Sequence, residues 1–428
     1  MMEIIPAGAA VDLESIFIRR EDEADIQAAV ADIIDTVRRE GDRAVLGYTE
    51  RFDKARLESL ELTEDEAEAA LRQVEPEFLE VLKRAARNIE AFHRRQVRQG
   101  FGFTGENGEI LGQKVVPLAR VGVYIPGGTA GYPSTVLMNC IPAKIAGVEE
   151  IVLVTPPRPD GSVRPEIVAA ARIAGADRIF KCGGAQAVAA LAYGTESIPP
   201  VDKIVGPGNA FVAEAKRQVF GKVAIDMIAG PSEILVVADG AANPRHVAAD
   251  LLSQAEHDKR SRAVLVTTSE GLARAVAEEV ERQLQALPRE EIARAAIESG
   301  GKILLVSSLE EAVDLANRLA PEHLELFVED PFPLLERVRC AGSVFLGPWC
   351  PEALGDYYAG PNHTLPTLGT ARFSSPLSVD DFVKKFSYTY YTQEALERVK
   401  EDVAAFARKE GLEAHARSVL IRFEEGSK

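Results

Sequence analysis

The chain has 428 residues, 46% hydrophobic, 27% charged and 6% aromatic, with a formal charge of −17. That composition belongs to a globular protein with length for about three domains and sizeable cores. The negative charge argues against nucleic acid or an anionic membrane as the main partner, because the electrostatic contribution to either is repulsive, whereas a small cationic substrate is compatible. Four cysteines, Cys140, Cys182, Cys340 and Cys350, form no CxxC pair and are sparse for a disulfide scaffold, so buried thiols are expected. The opening MMEIIPAGAAVDLESIF lacks a basic segment followed by an apolar core, and no apolar run reaches membrane-spanning length, which points to a cytoplasmic enzyme.

Residues 1–20 read as an N-terminal arm. From 21 to about 100 the pattern is helical: EADIQAAVADIIDTVRREG, TEDEAEAALRQV and EPEFLEVLKRAARNIEAFHRRQ each repeat apolar residues at three- and four-residue intervals. Thr63 or Glu64, and Glu75, stand where caps and first-turn acids belong. GFTGENGEILGQKVVPL then changes to short extended runs about Glu106-Asn107-Gly108, a β-hairpin signal. From Arg120 the short β-rich runs RVGVYIP, EEIVLVTP, RIFKCGG and DKIVG alternate with helical stretches beginning near Pro133, Pro165, Ala185 and Asn209. After VAIDMIAGPS a second series follows: EILVVAD, RAVLVTTS, KILLVSS, LELFVED and SVFLG. Near-continuous apolar strands joined by helices predict parallel sheets covered on both faces, hence two α/β units at about 120–230 and 231–350. GPWCPEALGDYYAGPNHTLPTLGTARFSSP reads as a long functional loop. The tail has an extended run, FVKKFSYTYYT, and a helix from about Glu394 to Arg422.

Six histidines are present. In HVAADLLSQAEHD, Gln254 and His257 fall on one helical face and can converge on one small object. A C-terminal histidine favoured by the helix dipole, with Gln254 solvated, accounts for the same residues. His323 sits in APEHLE, where Pro321 ends a helix and places Glu322 and an imidazole together at a strand entrance. His363 follows Asp356 in the Gly/Pro-rich loop, and His415 follows Glu410 on the last helix; His93 and His246 are expected at the surface. Gln254, His257, Asp356 and His415 would offer a divalent cation two nitrogens and two oxygens, although the spacing matches no standard zinc motif and an amide oxygen is a poor zinc ligand. Two glycine-bearing turns, Tyr124 to Gly131 and Gly206 to Asn209, suit either a tight turn or a cofactor phosphate. Neither is a GxGxxG followed by the ribose-binding acid. Cys182 is the best-placed thiol, but packing is expected.

Taken together, VGVYIPGGTAGYPSTVLMNCIPAKIAGV, GGAQAVAALAYGT, KIVGPGNAFVAEAK, IDMIAGPSEILV, LLSQAEHD, APEHLEL and GDYYAGPNHTLPT resemble the histidinol dehydrogenase family, in the same order and over nearly the whole chain. The resemblance implies oxidation of L-histidinol to L-histidine through the aldehyde with two NAD+. It implies a zinc ion held by Gln254, His257, Asp356 and His415, and an acid–base pair in which His323 takes the alcohol proton and Glu322 activates water for the aldehyde step, so that no cysteine is required. Substrate contacts are implied at Ser232, Glu410, His363, His323 and the zinc ligands, and NAD+ contacts at Tyr124, Gln186 and Asn209. The implied fold is α/β with two Rossmann-like, incomplete doubly wound units. The helical region and hairpin, 21–119, would join the second unit, 231–375, which carries the metal and catalytic residues, while 120–230 binds NAD+. The tail, 376–428, would be exchanged in a homodimer and complete the partner's site. Lys259, Arg260 and Arg262 follow the ligand helix and are expected to face water. The rival readings are a zinc hydrolase acting on a small amine or amide with Glu322 as base, and a small-molecule-binding protein without turnover.

Overall fold

The computed structural model describes residues 2–8, 16, 24–127 and 131–424. Most of the expected N-terminal arm and Gly128, Thr129 and Ala130 of the first glycine turn lie outside the described residues. Two compact units form, Met1–Val97 with Leu118–Phe382, and Arg98–Pro117 with Val383–Lys428.

The larger unit begins with strand β1 (Glu3–Ile5) and the helices α1 (Ala24–Glu40), α2 (Asp42–Asp53), α3 (Glu64–Leu71) and α4 (Pro76–His93). The stripe Val30, Ile33, Ile34 and Val37 is the buried face of α1, at the spacing that puts side chains above one another on a helix. Thr63 caps α3 in a capping box with Glu66, satisfying two backbone donors reciprocally.

Five parallel strands follow: β4 (Arg120–Tyr124), β5 (Glu150–Thr155), β6 (Arg178–Lys181), β7 (Lys203–Val205) and β8 (Ala224–Ile225), after a hairpin of β2 (Phe101–Thr104) and β3 (Ile110–Pro117) that belongs to the smaller unit. Their order is β6-β5-β4-β7-β8. Between them run α5 (Pro133–Ala146), α6 (Pro165–Ala174), α7 (Gly184–Tyr193) and α8 (Ala210–Val219). The second series is β9 (Glu233–Ala238), β10 (Arg262–Thr267), β11 (Gly301–Leu305), β12 (His323–Phe327) and β13 (Ser343–Leu346), all parallel, in the order β1-β11-β10-β9-β12-β13. Helices α9 (Pro244–Ala255), α10 (Glu270–Leu284) and α11 (Glu290–Gly300) cover one face, and α12 (Leu309–Leu319) and α13 (Phe332–Leu335) the other. Leaving out β1, both sheets share one plan: the first strand of the series is central, and the chain switches direction between it and the fourth. Such a switch point opens a crevice between neighbouring strand ends.

The packing differs from the expected grouping of 21–119 with 231–375. Residues of α3 and α4 share a core with α5 and α6, and those of α1 and α2 with α7 and α8, on the two faces of the first sheet. The hairpin departs as well, because β3 pairs with strand β14 (Val383–Tyr390) over its whole length, which makes a three-stranded antiparallel sheet β14-β3-β2. The long loop contains a short helix, α14 (Glu352–Tyr357). The final helix is two, α15 (Gln393–Lys409) and α16 (Glu413–Leu420), separated where Gly411 takes φ +77°, a conformation glycine adopts without strain. Among the described residues their shared core is Ala404, Ala407 and Ala416, with the half-buried Leu420 packed against them. No described helix is long and apolar enough to cross a membrane.

Candidate active site

At the amino ends of β9 and β12, the neighbours between which the second sheet changes direction, Glu322 and His323 enter β12 directly beside the start of β9. Helix α12 stops because Ala320 takes a left-handed φ of +51° and Pro321 follows, and proline cannot continue a helix. The two adjacent side chains then bracket one residue: Glu233 N–H donates to Glu322 Oε2 at 2.9 Å, and His323 Nδ1–H donates to the Glu233 carbonyl at 2.9 Å. That second bond sets the tautomer, leaving the Nε2 lone pair of a neutral imidazole directed elsewhere. The Glu233 carboxylate accepts from Leu368 N–H at 2.9 Å and lies 3.4 Å from Glu322 N–H. Leu368 has φ +55°, so both sides of this acid pair are bordered by a non-glycine residue in a strained backbone conformation, as at many functional sites.

Around His323 Nε2 stand Asp356 Oδ1 at 3.6 Å and Glu352 Oε1 at 3.9 Å, and His363 Nδ1 lies 4.0 Å from the same Asp356 oxygen. Glu352 and Asp356 are four residues apart on α14 and so share a face. Ser253 Oγ donates to Glu352 Oε2 at 2.9 Å, and Glu352 N–H to Glu325 Oε1 at 2.9 Å. Gln254, 1% exposed, ends α9, and a turn from His257 N–H to the Gln254 carbonyl at 3.2 Å carries the chain on to His257. Both amide atoms of Gln254, His323 Nε2, Glu352 Oε1 and His363 Nε2 are buried without a hydrogen-bond partner. Buried polar atoms are rarely left so, and this donor set of imidazole, carboxylate and amide fits a cation; His323, Glu352 and Asp356 each offer an atom within 4.8 Å of the others.

The electrostatics follow from burial. Desolvation pushes the Glu322 carboxyl up to about 7 against the pull of His323. Desolvation, aided by the Glu322 charge, takes Glu233 to about 8, and desolvation with Asp356 takes Glu352 to about 7. Burial opposes charge on His323, yet Glu322, Asp356 and Glu352 outweigh it and raise the imidazolium to about 10. Asp356, which burial alone would raise, is held well below the usual carboxylate range by His323 and His363. Burial lowers His257 and His363. In the described residues the acids thus outnumber the cations that face them, an environment short of positive charge.

Of the expected residues, Ser232 immediately precedes β9, and Glu322, His323, Asp356 and His363 meet as described. Glu410 and His415 lie exposed in the smaller unit. The expectation that His93 is at the surface is corrected: it is fully buried, bonded through Nδ1 to the Ile89 carbonyl at 2.8 Å and through Nε2 to Asn362 Nδ2 at 3.3 Å, which ties α4 to the loop carrying His363. Arg262 is likewise buried, opening β10, while Lys259 pairs with Glu291 at 2.7 Å and Arg260 with Asp258 at 3.0 Å. Sequence reasoning missed Glu233, Glu325 and Glu352. A glutamate inside an apolar strand run, as in SEILVV and HLELFV, is the signal that marks the first two.

The expected cofactor residues lie at the carboxyl edge of the first sheet. Tyr124 ends β4, and its hydroxyl accepts from Gly184 N–H at 3.0 Å, where α7 begins. Gln186 on α7 is 1% exposed with its Oε1 unpartnered. Asn209 caps α8, accepting from Phe211 and Val212 N–H at 3.1 Å each. A Cβ at Gly206 would come within 2.1 Å of the Tyr124 carbonyl, so the turn after β7 is drawn against β4 as only glycine allows. Cys182 is fully buried, and desolvation together with Asp53 and Asp42 pushes its thiol far above its ordinary range; Cys140 is pushed up to about 12. Neither is an activated nucleophile.

Two parallel sheets in dinucleotide-fold order, with a buried imidazole–carboxylate pair at the edge of one of them, define the class: an α/β protein of Rossmann-like architecture. The sequence profile described as histidinol dehydrogenase matches residues 18–423. Histidinol dehydrogenase of Geobacillus kaustophilus is 58% identical over 93% of this chain and 94% of its own, and that of Bacillus cereus 55% identical over 99% and 100%. The crystal structure of histidinol dehydrogenase from Elizabethkingia anophelis superposes with a TM-score of 0.94 at 40% identity, covering 99% of this chain and 98% of that one. The chain belongs to the histidinol dehydrogenase family, which makes it an oxidoreductase of histidine biosynthesis.

Proposed function

We propose that this chain oxidises L-histidinol to L-histidine by way of L-histidinaldehyde, using two NAD+, with a zinc ion held by Gln254, His257, Asp356 and, from a second copy, His415. The observation that carries the reading is the group of buried polar atoms without partners, on Gln254, His323, Glu352 and His363, where Asp356 lies 3.6 Å from a His323 Nε2 whose ring is already engaged through Nδ1. When bound, zinc would orient the amino alcohol and supply the positive charge that His323 otherwise provides to this acid-rich site, and NAD+ would accept hydride.

In the first oxidation the alcohol O–H gives its proton to His323 Nε2 as the hydride leaves the same carbon. The Glu233 carbonyl, accepting from Nδ1–H, holds the ring in that orientation. Glu322, raised to about 7, ionises within the working range and takes a proton from the water that adds to the aldehyde; the hydrated carbon then loses the second hydride to a second NAD+. Ser232, His363 and Glu410 contact substrate in this reading. Tyr124, Gln186 and Asn209 hold NAD+ at the carboxyl edge of the first sheet, where open parallel sheets bind ligands.

The reading includes a homodimer in which the tail, 376–428, completes the partner's site. Support comes from the smaller unit itself: its helix pair has a core of three alanines, while Phe101, Phe103, Phe386, Tyr390 and Phe406 stand exposed on a single chain. A cytoplasmic location suits a biosynthetic enzyme of this family. The test is histidinol-dependent NADH formation, expected at two NADH per histidinol and abolished by chelation with recovery on adding zinc; hydrolysis of amines without NADH would overturn it. Mixing His415→Ala with His323→Ala chains is expected to restore part of the activity, and no recovery after confirmed subunit exchange would refute the shared site.

A further inference from the structure

Lys216 and Asp226 form an ion pair whose side chains are 2% and 1% exposed. Taking two charges out of water is costly, and apolar residues of similar size often hold a core as well or better. The pair is therefore poor evidence of stabilisation and invites a search for what it holds. Both main-chain polar groups of Gly206 end on it: Gly206 N–H donates to Asp226 Oδ2 at 2.8 Å, and Lys216 Nζ donates to the Gly206 carbonyl at 3.0 Å. Asp226 Oδ1 also accepts from Met227 N–H at 2.6 Å, and Asp226 N–H donates to the Ile204 carbonyl at 3.2 Å.

Gly206 has φ +109° and lies against the Tyr124 carbonyl. Three residues on, Asn209 caps α8, the helix that carries Lys216. Asp226 follows β8 and opens the segment 226–232, which leads to Ser232 and the start of β9. One buried pair thus fixes the turn between β7 and α8 and the beginning of the passage from the first sheet to the second.

We propose that Lys216 and Asp226 are positioning residues that clamp the Gly206–Asn209 turn in the conformation that receives the dinucleotide. The inference rests on the proposed placement of NAD+ at Tyr124, Gln186 and Asn209. An apolar pair could fill the same volume but would leave the Gly206 N–H and carbonyl buried and unpaired, so the turn would relax.

The test is steady-state kinetics of the full-length, zinc-loaded enzyme carrying Lys216→Met or Asp226→Asn, with Lys216→Arg as the conservative variant and Asn209→Ala alongside. The KM for NAD+ is expected to rise about tenfold in Lys216→Met and less in Asp226→Asn, which keeps an acceptor for Gly206 N–H, with partial recovery in Lys216→Arg. The KM for histidinol and the zinc content should stay within about twofold of the parent. An unchanged KM for NAD+ in both clamp variants overturns the proposal, and Asn209→Ala then tells whether the cofactor placement falls with it. A proportionate loss of every kinetic constant that tracks a lowered Tm gives the pair a stabilising role alone and overturns it equally.

Discussion

The two parallel sheets share a strand plan, and in the proposed reading they present opposite edges to chemistry. In the first, Tyr124, Gln186 and Asn209 stand at or beyond the carboxyl ends of β4, β6 and β7, where glycine turns and helix starts meet; in the second, Ser232, Glu233, Glu322 and His323 stand at the amino ends of β9 and β12. The connection explains the choice. The chain leaves the first sheet at the carboxyl end of β8 and enters the second at the amino end of β9 after residues 226–232 alone, so the two edges proposed for function are those the connection joins. A carboxyl edge offers backbone N–H groups and the positive ends of helices, which suit phosphate. The amino edge here offers instead buried acids and an imidazole, which suit proton transfer and a cation.

The sharpest way to break this division of labour is His323→Asn, expected to lower kcat for histidinol by about 10²–10⁴ with zinc content unchanged, since Asn keeps a polar side chain but no base; near-parental turnover would remove His323 from the chemistry. Glu322→Gln should spare the first oxidation and slow the oxidation of added histidinaldehyde by about 10², and equal losses in both steps would merge the two roles. On the other edge, Gln186→Ala should raise the KM for NAD+ about fivefold with the KM for histidinol unmoved; a shift in histidinol KM instead would show that the edges are not separate. The smallest effect concerns stability. Glu233 titrates near 4.5 when unfolded and about 8 when folded, so its contribution is fully present below pH 4.5 and is lost as pH rises through 8. Unfolding free energies from urea titrations at pH 6 and pH 9 should therefore differ less in Glu233→Gln than in the parent, by on the order of 1–3 kcal/mol, and equal differences would mean that Glu233 is not buried as an acid.

Much of this was legible in the residues. Short β-rich runs marked β4 to β7 and β9 to β13, but β1 lies in what reads as an N-terminal arm and β8 in VAIDMIAGPS, neither of which reads as a strand; the helix that reads through His257 stops at Ala255 and leaves His257 in the turn beyond it. The site's deeper layer was not read, although part of it was readable. His93 continues the buried stripe Leu82, Ala85, Ala86 and Ile89, yet its partner Asn362 is 269 positions away, and the charged neighbours Arg94 and Arg95 disguised the stripe. Which sheet the N-terminal helices would cover was hidden for another reason: periodicity shows that a helix has an apolar face, not what lies against it. The break at Gly411 looked like a single tolerated glycine in a helical pattern, and only its left-handed φ makes it a corner.

Strand β1 carries a practical consequence. By pairing Glu3, Ile4 and Ile5 with Lys302, Ile303 and Leu304, and by the Glu3–Lys302 contact, it occupies the outer side of β11. Trimming the first few residues, or fusing a bulky partner too near them, would leave Lys302-Ile303-Leu304-Leu305 as a bare apolar border to which a strand of another molecule can add. Preparations altered at that end should scatter light increasingly with concentration while the unaltered protein stays clear.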